Sequence, residues 1–371
     1  MNSKYFQELL INLKDRSSPC IFVEWNNIKK INSNSRIGKG FFGTVFQVTI
    51  SNFSKPLAMK VIDVNDNTTN LNKERISREI QLLYSCCHPN ILPLYGITFN
   101  EQENLIGLIT PLKWGNLAKV IDNLYKGESN NLPREFNNEM KQKVIFGITA
   151  GLYYLSSNNI IHRDIKLENI LLDEDFNPFI CDFGLAKEIS TYEDLNQSEW
   201  GIGTLPYLAP ELFLSKVSNT KIDIYAWAIV VNSIIEGSPP YEELFNSSDF
   251  TPFQMSSLIS KGQRPSMVKD DKFKFYQDLI EKAWKNNFEE RPSAEDILKE
   301  LMKKEANLEG VNIENLNQYQ MEILKATPDF LVQYNKEKEE EINLEIIKKY
   351  KMELKEQKDE NKKTKGKNTT T

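Results

Sequence analysis

The chain has 371 residues, of which 40% are hydrophobic and 26% are charged, and its formal net charge is −6. This length allows about two or three cooperating units with a hydrophobic core each, and the composition argues against a fibrous or wholly disordered protein. A negative net charge gives no global attraction to nucleic acid or to anionic membranes. We therefore expect no nucleic-acid partner.

The cysteines and the N-terminus indicate where the protein works. Four cysteines, two of them adjacent, have spacings that fit neither a disulfide framework nor a zinc site. The N-terminus lacks the apolar core of a signal peptide, and residue 2 is not the glycine that myristoylation requires. The longest apolar stretch, within residues 226–235, is much shorter than the roughly 20 residues that span a bilayer. We expect no transmembrane segment and a reducing compartment, namely the cytoplasm, with access to the nucleus left open.

The first third of the chain predicts strands with a single helix. Residues 1–20 mix charged residues with an apolar triplet and form an N-terminal extension. A charged segment of helical period covers residues 73–84 and ends at His88-Pro89, because proline stops a helix. Short apolar and β-branched runs on either side of this segment predict strands. The predicted strands lie within residues 37–50, 57–62, 91–97 and 105–109.

After Gly115 the pattern changes to helix. Residues 140–155 carry apolar side chains at helical spacing, and residues 222–235 are apolar almost throughout, as expected for a central buried helix. Residues 336–367 are dense in both charges, with fewer than three clear heptads. This segment predicts an exposed helix with a disordered end and not a coiled coil.

Three glycines, Gly38, Gly40 and Gly43, predict a loop that approaches phosphate. Because glycine has no Cβ atom, backbone amides at these positions can come close to phosphate oxygens. The same spacing occurs in dinucleotide-binding units, but there a helix follows the glycines, whereas Val45 and its neighbours here continue a strand. No Gly-Lys-Ser/Thr sequence ends the loop, so it is not a Walker A loop either.

Lys60 is a single cation in an otherwise apolar strand, residues 57–62. On its own it would be an edge-strand lysine that points to solvent. Glu79 on the following helix offers a partner, and a buried lysine is tolerated only with such a partner. The pair favours a functional lysine.

The run from His162 to Asn169 carries the strongest chemical signal. An aspartate that orients a hydroxyl nucleophile and an asparagine that binds metal need a short loop between them, and Asp164 and Asn169 have this separation. The apolar strand 170–172 follows. Asp182-Phe183-Gly184 then supplies a hard carboxylate suited to magnesium.

In this order the motifs resemble those of the eukaryotic protein kinases over residues 20–303. The resemblance implies an α+β, bilobal kinase fold, with a five-stranded antiparallel sheet and one main helix in the N-terminal lobe and a mainly helical C-terminal lobe. It implies a kinase domain over 21–303, with lobes at 21–112 and 113–303, followed by a charged helical or disordered tail over 304–371. It also implies a serine/threonine protein kinase that uses ATP, with magnesium or with manganese in its place, on protein substrates.

The resemblance gives individual residues their expected roles. Asp164 is the expected catalytic base, and Lys166 neutralises charge on the transferred phosphoryl group. Asn169 and Asp182 are the expected metal ligands, and Lys60 contacts the α- and β-phosphates. The expected ATP-binding residues are Ile37, Gly38, Gly40, Gly43, Val45, Ala58, Lys60, Glu79, Thr110, Leu112 and Leu171.

Further positions match the resemblance. Glu211 closes the activation segment and is expected to pair with Arg291, and Asp223 is expected to anchor the backbone of the catalytic loop. Cys181, directly before Asp182, is either an inert buried cysteine or a reactive thiol beside the nucleotide. The side chains expected to stack into the column that aligns the lobes are Leu83, Leu94, His162 and Phe183.

The activation segment carries candidate regulatory sites. Arg163 beside Asp164 is typical of kinases in which a phosphate orders this segment, because the guanidinium attracts an anion. Thr204 matches the threonine that hydrogen-bonds the base and the lysine in this family, and we assign it to positioning. The predicted phosphorylation sites are Ser190, Thr191 and Ser198.

Three alternatives stay open. Lys166 favours serine or threonine as the acceptor, but the sequence around Arg264 and Trp284 resembles the tyrosine-kinase-like branch, so dual or tyrosine specificity is one alternative. An inactive kinase fold that acts as a scaffold is another, although Lys60, Asp164, Asn169 and Asp182 are all present. Residues 343–367 are interpreted as a solvated extension, with partner binding as the alternative.

Overall fold

A computed structural model describes residues 21–30, 35–39, 43–51, 53–64, 70–188, 203–214, 219–245 and 251–337. The chain divides into two compact units, of which the first ends at Ala326 and the second begins at Thr327. In the second unit residues 328–337 are helical, and the rings of Phe330 and Tyr334 stack with centroids 5.9 Å apart. The first unit holds the elements that position the site.

The N-terminal part of the first unit is a sheet with one helix. Its strands are β1 (Ile21–Phe22), β2 (Ile28–Lys30), β3 (Arg36–Lys39), β4 (Thr44–Ile50), β5 (Leu57–Asp63), β6 (Gly96–Asn100) and β7 (Leu105–Pro111), and its helix is α1 (Asn70–Ser85). Strands β3, β4, β5, β7 and β6 pair in that order and are antiparallel. In the described part of the chain β2 also pairs with β4, and β1 runs parallel to β6, so two short strands are added to the five predicted.

The predicted strand over residues 91–97 is right only for its last two residues, Gly96 and Ile97, which begin β6. Residues 91–95 are not part of a strand, although Ile91 forms an isolated bridge to Ile180. Ile91, Leu92 and Leu94 are apolar because they are buried in a loop that packs against the core, not because they belong to a ladder. Pro93 lies among them and has no amide hydrogen to donate.

The C-terminal part is mainly helical, as predicted. Its helices are α2 (Leu117–Tyr125), α3 (Asn138–Ser157), α4 (Glu211–Leu214), α5 (Lys221–Glu236), α6 (Glu242–Phe245), α7 (Pro252–Ser260), α8 (Lys274–Ala283), α9 (Ala294–Leu301) and α10 (Ile313–Leu324). Its short strands are β8 (Gly115–Asn116), β9 (Ile160–Ile161), β10 (Ile170–Leu172), β11 (Pro178–Ile180) and β12 (Lys187–Glu188). Every residue of α5 from 222 to 235 is buried, which confirms the predicted central helix.

Asparagine N-caps begin two helices near the site, and strand pairing fixes the catalytic loop. Asn137 caps α3 by accepting from the amide of Met140, and Asn116 caps α2 by accepting from Lys119. Strand β10 pairs with both β11 and β8, so the catalytic loop before β10 is fixed to the strand that precedes Asp182. Among the described helices none is long and apolar enough to cross a membrane.

The compact first unit continues past residue 303, where we placed the end of the kinase domain. The side-chain amide of Gln142 on α3 donates to the Ala306 carbonyl at 2.7 Å and accepts from the Leu308 amide at 3.0 Å. Helix α10 then packs on α3 with Leu316 and other residues buried. The domain boundary stays a prediction, and residues 338–371 of the predicted tail lie outside the described residues.

Candidate active site

Lys60 binds two carboxylates from distant parts of the chain. It lies on β5 between Val45 of β4 and Leu108 of β7. Its Nζ is 2.6 Å from Oε1 of Glu79, which is 1% exposed, and 2.9 Å from Oδ1 of Asp182. The contact with Glu79 was predicted from the sequence, whereas the direct contact with Asp182 was not.

Electrostatics keep Lys60 and Asp182 ionised, whereas burial raises the pKa of Glu79 above its usual value. Burial alone would lower the pKa of Lys60, but the carboxylates of Glu79 and Asp182 outweigh it and raise that pKa. Burial would raise the pKa of Asp182, yet the nearby Lys60 ammonium holds it below its usual value. At neutral pH the cluster therefore offers one ammonium and a carboxylate able to bind a cation.

Three side chains hold the carboxylate of Asp164. Lys166 donates to Oδ2 at 2.6 Å. The side-chain Nδ2 of Asn169 donates to the same oxygen at 2.9 Å and to the Asp164 backbone carbonyl at 2.8 Å. Thr204 donates to Oδ1 at 3.0 Å and accepts from Lys166 at 2.7 Å. Both carboxylate oxygens thus have a fixed direction, with an ammonium beside them.

The loop backbone is fixed from the central helix α5. The carboxylate of Asp223 accepts from the amides of His162 at 2.7 Å and Arg163 at 2.9 Å. These bonds hold Arg163 at a φ of 65°, in the left-handed region that a non-glycine residue adopts only under constraint. The buried His162 ring packs edge-on against Phe183 with centroids 4.9 Å apart, which is a structural role. Leu83 and Leu94 are buried too.

Asn169 and Asp182 are adjacent and offer oxygen ligands. The amide of Cys181 donates to the Asn169 carbonyl at 3.0 Å, which brings the next residue, Asp182, beside the loop. The nitrogen of the Asn169 side chain is committed to Asp164, so its oxygen is the atom left for a ligand. Carboxylate and amide oxygens fit Mg²⁺. Within the described ranges, His, Cys, Asp and Glu side chains form no group of three or more that could hold a metal ion.

The expected nucleotide-binding residues line the sheet and the connection between the lobes. Ala58 lies opposite Thr110 in the β5–β7 register, and Leu171 lies opposite Asn116 just beyond the connection. At Gly43 a Cβ atom would collide with the Val61 carbonyl oxygen, so only glycine fits there. Of the other expected residues, Ile37, Gly38 and Val45 lie on β3 and β4, Leu112 directly follows β7, and Gly40 lies outside the described residues.

Comparison with known proteins decides the family. The family model for the protein kinase domain matches residues 31–302. The chain belongs to the protein kinase family. A probable serine/threonine-protein kinase of Dictyostelium discoideum is 31% identical over 77% of this chain and 20% of its own length.

Two other relatives of this kinase are named for different specificities. The serine/threonine-protein kinase STY46 of Arabidopsis thaliana is 29% identical over 76% of this chain and 46% of its own length. The dual specificity protein kinase shkA of Dictyostelium discoideum is 31% identical over 73% of this chain and 49% of its own length. The chain thus spans between 20% and 49% of the length of these three relatives.

Cys181 is a free, buried cysteine. Its side chain is buried, and burial raises the pKa of the thiol well above its usual value. The thiolate, which is the reactive form, is therefore scarce at neutral pH. The interpretation of Cys181 as a reactive thiol beside the nucleotide is not supported.

The activation segment is anchored at both described ends. Glu211 and Arg291 form a buried bidentate ion pair with both nitrogen–oxygen distances at 2.7 Å. At the other end, Nε of Arg163 donates to the Leu185 carbonyl at 2.6 Å. The predicted phosphorylation sites Ser190, Thr191 and Ser198 lie outside the described residues, so the phosphate switch stays a prediction.

Sequence reasoning missed the roles of two residues near β11, the strand that precedes Asp182, namely Asn90 and Tyr319. The Asn90 side chain donates to the Pro178 carbonyl on β11 at 3.0 Å and to the Tyr319 hydroxyl at 3.3 Å. The proximity of Asn90 to His88-Pro89 was a usable signal for a loop anchor. Tyr319 carried no signal, because it lies in a helix outside every motif.

Proposed function

We propose that this kinase transfers the γ-phosphoryl group of ATP to serine or threonine hydroxyls of proteins. The arrangement of Lys166 between Asp164 and Thr204, at 2.6 and 2.7 Å, is the main support, because it sets an ammonium next to the expected base. Two of the three reported relatives are named as serine/threonine kinases.

Asp164 orients the acceptor hydroxyl and takes its proton as the new oxygen–phosphorus bond forms, while the bond from the γ-phosphorus to the bridging oxygen breaks and ADP leaves with that oxygen. Its two oxygens are held by neighbouring donors, so the carboxylate needs no rearrangement before the reaction. Lys166 neutralises the charge that develops on the transferred group. Thr204 hydrogen-bonds both side chains and holds them in fixed positions relative to each other.

Lys60 binds the α- and β-phosphates and is held in place by Glu79. When magnesium is bound, it neutralises phosphate charge, and Asp182 and Asn169 are the residues that would hold it. The low pKa of Asp182 keeps this carboxylate ionised for that purpose. Manganese would use the same oxygen ligands.

The proposed specificity is tested by phosphoamino-acid analysis. The purified chain is incubated with labelled ATP, Mg²⁺ and a peptide library containing serine, threonine and tyrosine. We expect phosphoserine and phosphothreonine. Phosphotyrosine beside them would support dual specificity, which the name of one relative favours. Absence of any incorporation would support the inactive scaffold.

We also propose that the kinase works in the cytoplasm and is regulated through its activation segment. Cys86, Cys87 and Cys181 are free thiols, which fits a reducing compartment. Fluorescence microscopy of a tagged chain tests the location, and a signal confined to membrane-enclosed organelles other than the nucleus would contradict it. Unchanged activity after phosphatase treatment would contradict the phosphate switch at Ser190, Thr191 or Ser198.

A further inference from the structure

Tyr319 is half-buried and packs against α3, although it lies beyond residues 31–302, which the family model matches. It projects from α10, and its ring meets Phe146 of α3 edge-on with centroids 6.4 Å apart. The ammonium of Lys143 lies over the same ring, 5.1 Å from its centroid. A Cβ atom at Gly147 would lie 2.6 Å from the Tyr319 hydroxyl oxygen, so glycine leaves the room that this oxygen needs.

The hydroxyl of Tyr319 contacts a residue that links two elements of the active site, helix α1 and strand β11. It accepts from Nδ2 of Asn90 at 3.3 Å. Asn90 follows the end of α1, the helix that carries Glu79, by five residues. The same residue is bonded to β11, the strand that leads to Asp182 two residues after its end.

Asn90 fixes β11 through both its side chain and its backbone. Nδ2 donates to the Pro178 carbonyl at 3.0 Å, and the Asn90 carbonyl accepts from the Ile180 amide at 2.8 Å. The Leu92 amide donates to the Ile180 carbonyl at 2.9 Å, which closes a short parallel bridge. The position of Asp182, two residues after β11, therefore depends on the conformation of the loop that contains Asn90.

We propose that Tyr319 is a positioning residue that acts through Asn90 to hold β11, and with it the metal-binding carboxylate of Asp182, in the geometry that binds magnesium and ATP. This inference rests on the proposed use of these ligands. It makes α10 a functional part of the kinase, beyond the residues that the family model matches.

The expected effect is modest because one neutral hydrogen bond is involved. Such a bond contributes about 0.5–1.5 kcal/mol net, which corresponds to a change of about twofold to tenfold in an equilibrium constant. If Tyr319 acts on Asp182, this change appears in metal-dependent nucleotide binding. If it only supports α10, the change appears in the stability of the fold alone.

The test uses the full chain and measures the Mg²⁺ concentration that gives half-maximal binding of a fluorescent ATP analogue. Tyr319→Phe removes the hydroxyl and keeps the ring against Phe146. Tyr125→Phe is the matched control, because Tyr125 is 49% exposed at the end of α2. We expect a rise of about twofold to tenfold for Tyr319→Phe, no change for Tyr125→Phe, and melting temperatures close to that of the unaltered chain.

A double-mutant cycle with Asn90→Ala identifies the route of the effect. We expect Tyr319→Phe to have no further effect in the Asn90→Ala background, because its contact is already gone. An unchanged Mg²⁺ requirement with a lowered melting temperature, or effects that add, would overturn the proposal. If the unaltered chain binds the analogue but phosphorylates no peptide, the acceptor assignment fails and the inference about Tyr319 stands. If it binds no analogue, both fail.

Discussion

Lys60 and Asp182 are separated by 122 residues in the sequence, and the Lys60 Nζ lies 2.9 Å from the Asp182 Oδ1. Since the same ammonium also lies 2.6 Å from Glu79, one cation joins β5, α1 and the residue that follows β11 by two positions. Each carboxylate needs this cation, because an unpaired charge in a buried site is costly. The same groups that are expected to bind ATP and metal also join the N-terminal lobe to the C-terminal lobe.

Lys60→Met is therefore expected to impair both function and stability. Loss of the ammonium leaves Glu79, which is 1% exposed, without its partner, and we expect the free energy of unfolding to fall by about 3 kcal/mol. Binding of an ATP analogue should be lost. Urea unfolding and fluorescence titration measure the two effects. Lys126→Met, in an exposed pair with Asp122, is the control and should leave both unchanged; equal effects of the two variants would contradict the role of Lys60.

Thr204→Val is expected to reduce catalysis, since it removes the hydroxyl between Asp164 and Lys166 at constant size. Misplacing these groups should lower kcat/KM for a peptide substrate by about tenfold to hundredfold. Thr204→Ser keeps the hydroxyl and should retain most activity. Steady-state kinetics measure both variants.

Thr98→Val is the matched control for Thr204→Val. The Thr98 hydroxyl is buried and has no hydrogen-bond partner among the described residues, so its replacement should leave activity unchanged and stability equal or higher. A similar loss of kcat/KM in Thr98→Val and Thr204→Val would show that the effect at Thr204 is not specific to its two partners.

Arg291→Met is expected to destabilise the C-terminal lobe. Its guanidinium makes the bidentate pair with Glu211 and also donates to the backbone carbonyls of Lys285 and Lys221. Because breaking a buried pair of this kind is costly, we expect the free energy of unfolding to fall by about 3–5 kcal/mol. Urea unfolding measures this change. Glu211→Leu combined with Arg291→Met should recover part of the loss, because the buried carboxylate that loses its guanidinium is then removed as well. Losses that simply add would refute this explanation.

The buried His88 predicts a dependence of stability on pH. Its Nδ1 accepts from the Asn90 amide at 3.1 Å, and burial lowers the pKa of the imidazole from 6.5 to about 4. His88 takes up a proton at a higher pH in the unfolded chain than in the folded chain. The free energy of unfolding therefore falls as pH decreases from 6.5 to about 4, by about 3 kcal/mol at most. Urea unfolding across this range should show a smaller decline for His88→Gln. An identical decline would mean that His88 is not the group responsible.

Local patterns predicted the parts of the fold and site that depend on short stretches of sequence. The helix over 222–235, the lysine–glutamate pair and the loop from Asp164 to Asn169 follow from periodicity and from motif spacing. The strand predicted over 91–97 begins only at Gly96, because the apolar residues 91–94 of a buried loop look like those of a strand. The contacts of Asp182 with Lys60 and of Tyr319 with Asn90 join residues 122 and 229 positions apart, and no local pattern encodes them.

Transfer of label from the γ-phosphate of ATP to serine or threonine peptides, compared between the unaltered chain and Asp164→Asn, tests the central claim most directly. Asp175→Asn makes the same chemical change at an exposed position and is the control. We predict label on serine and threonine, a decrease of about hundredfold or more for Asp164→Asn, and no change for Asp175→Asn. Equal incorporation by Asp164→Asn and the unaltered chain, or no incorporation by either, would contradict the assignment of Asp164 as the catalytic base of a serine/threonine kinase.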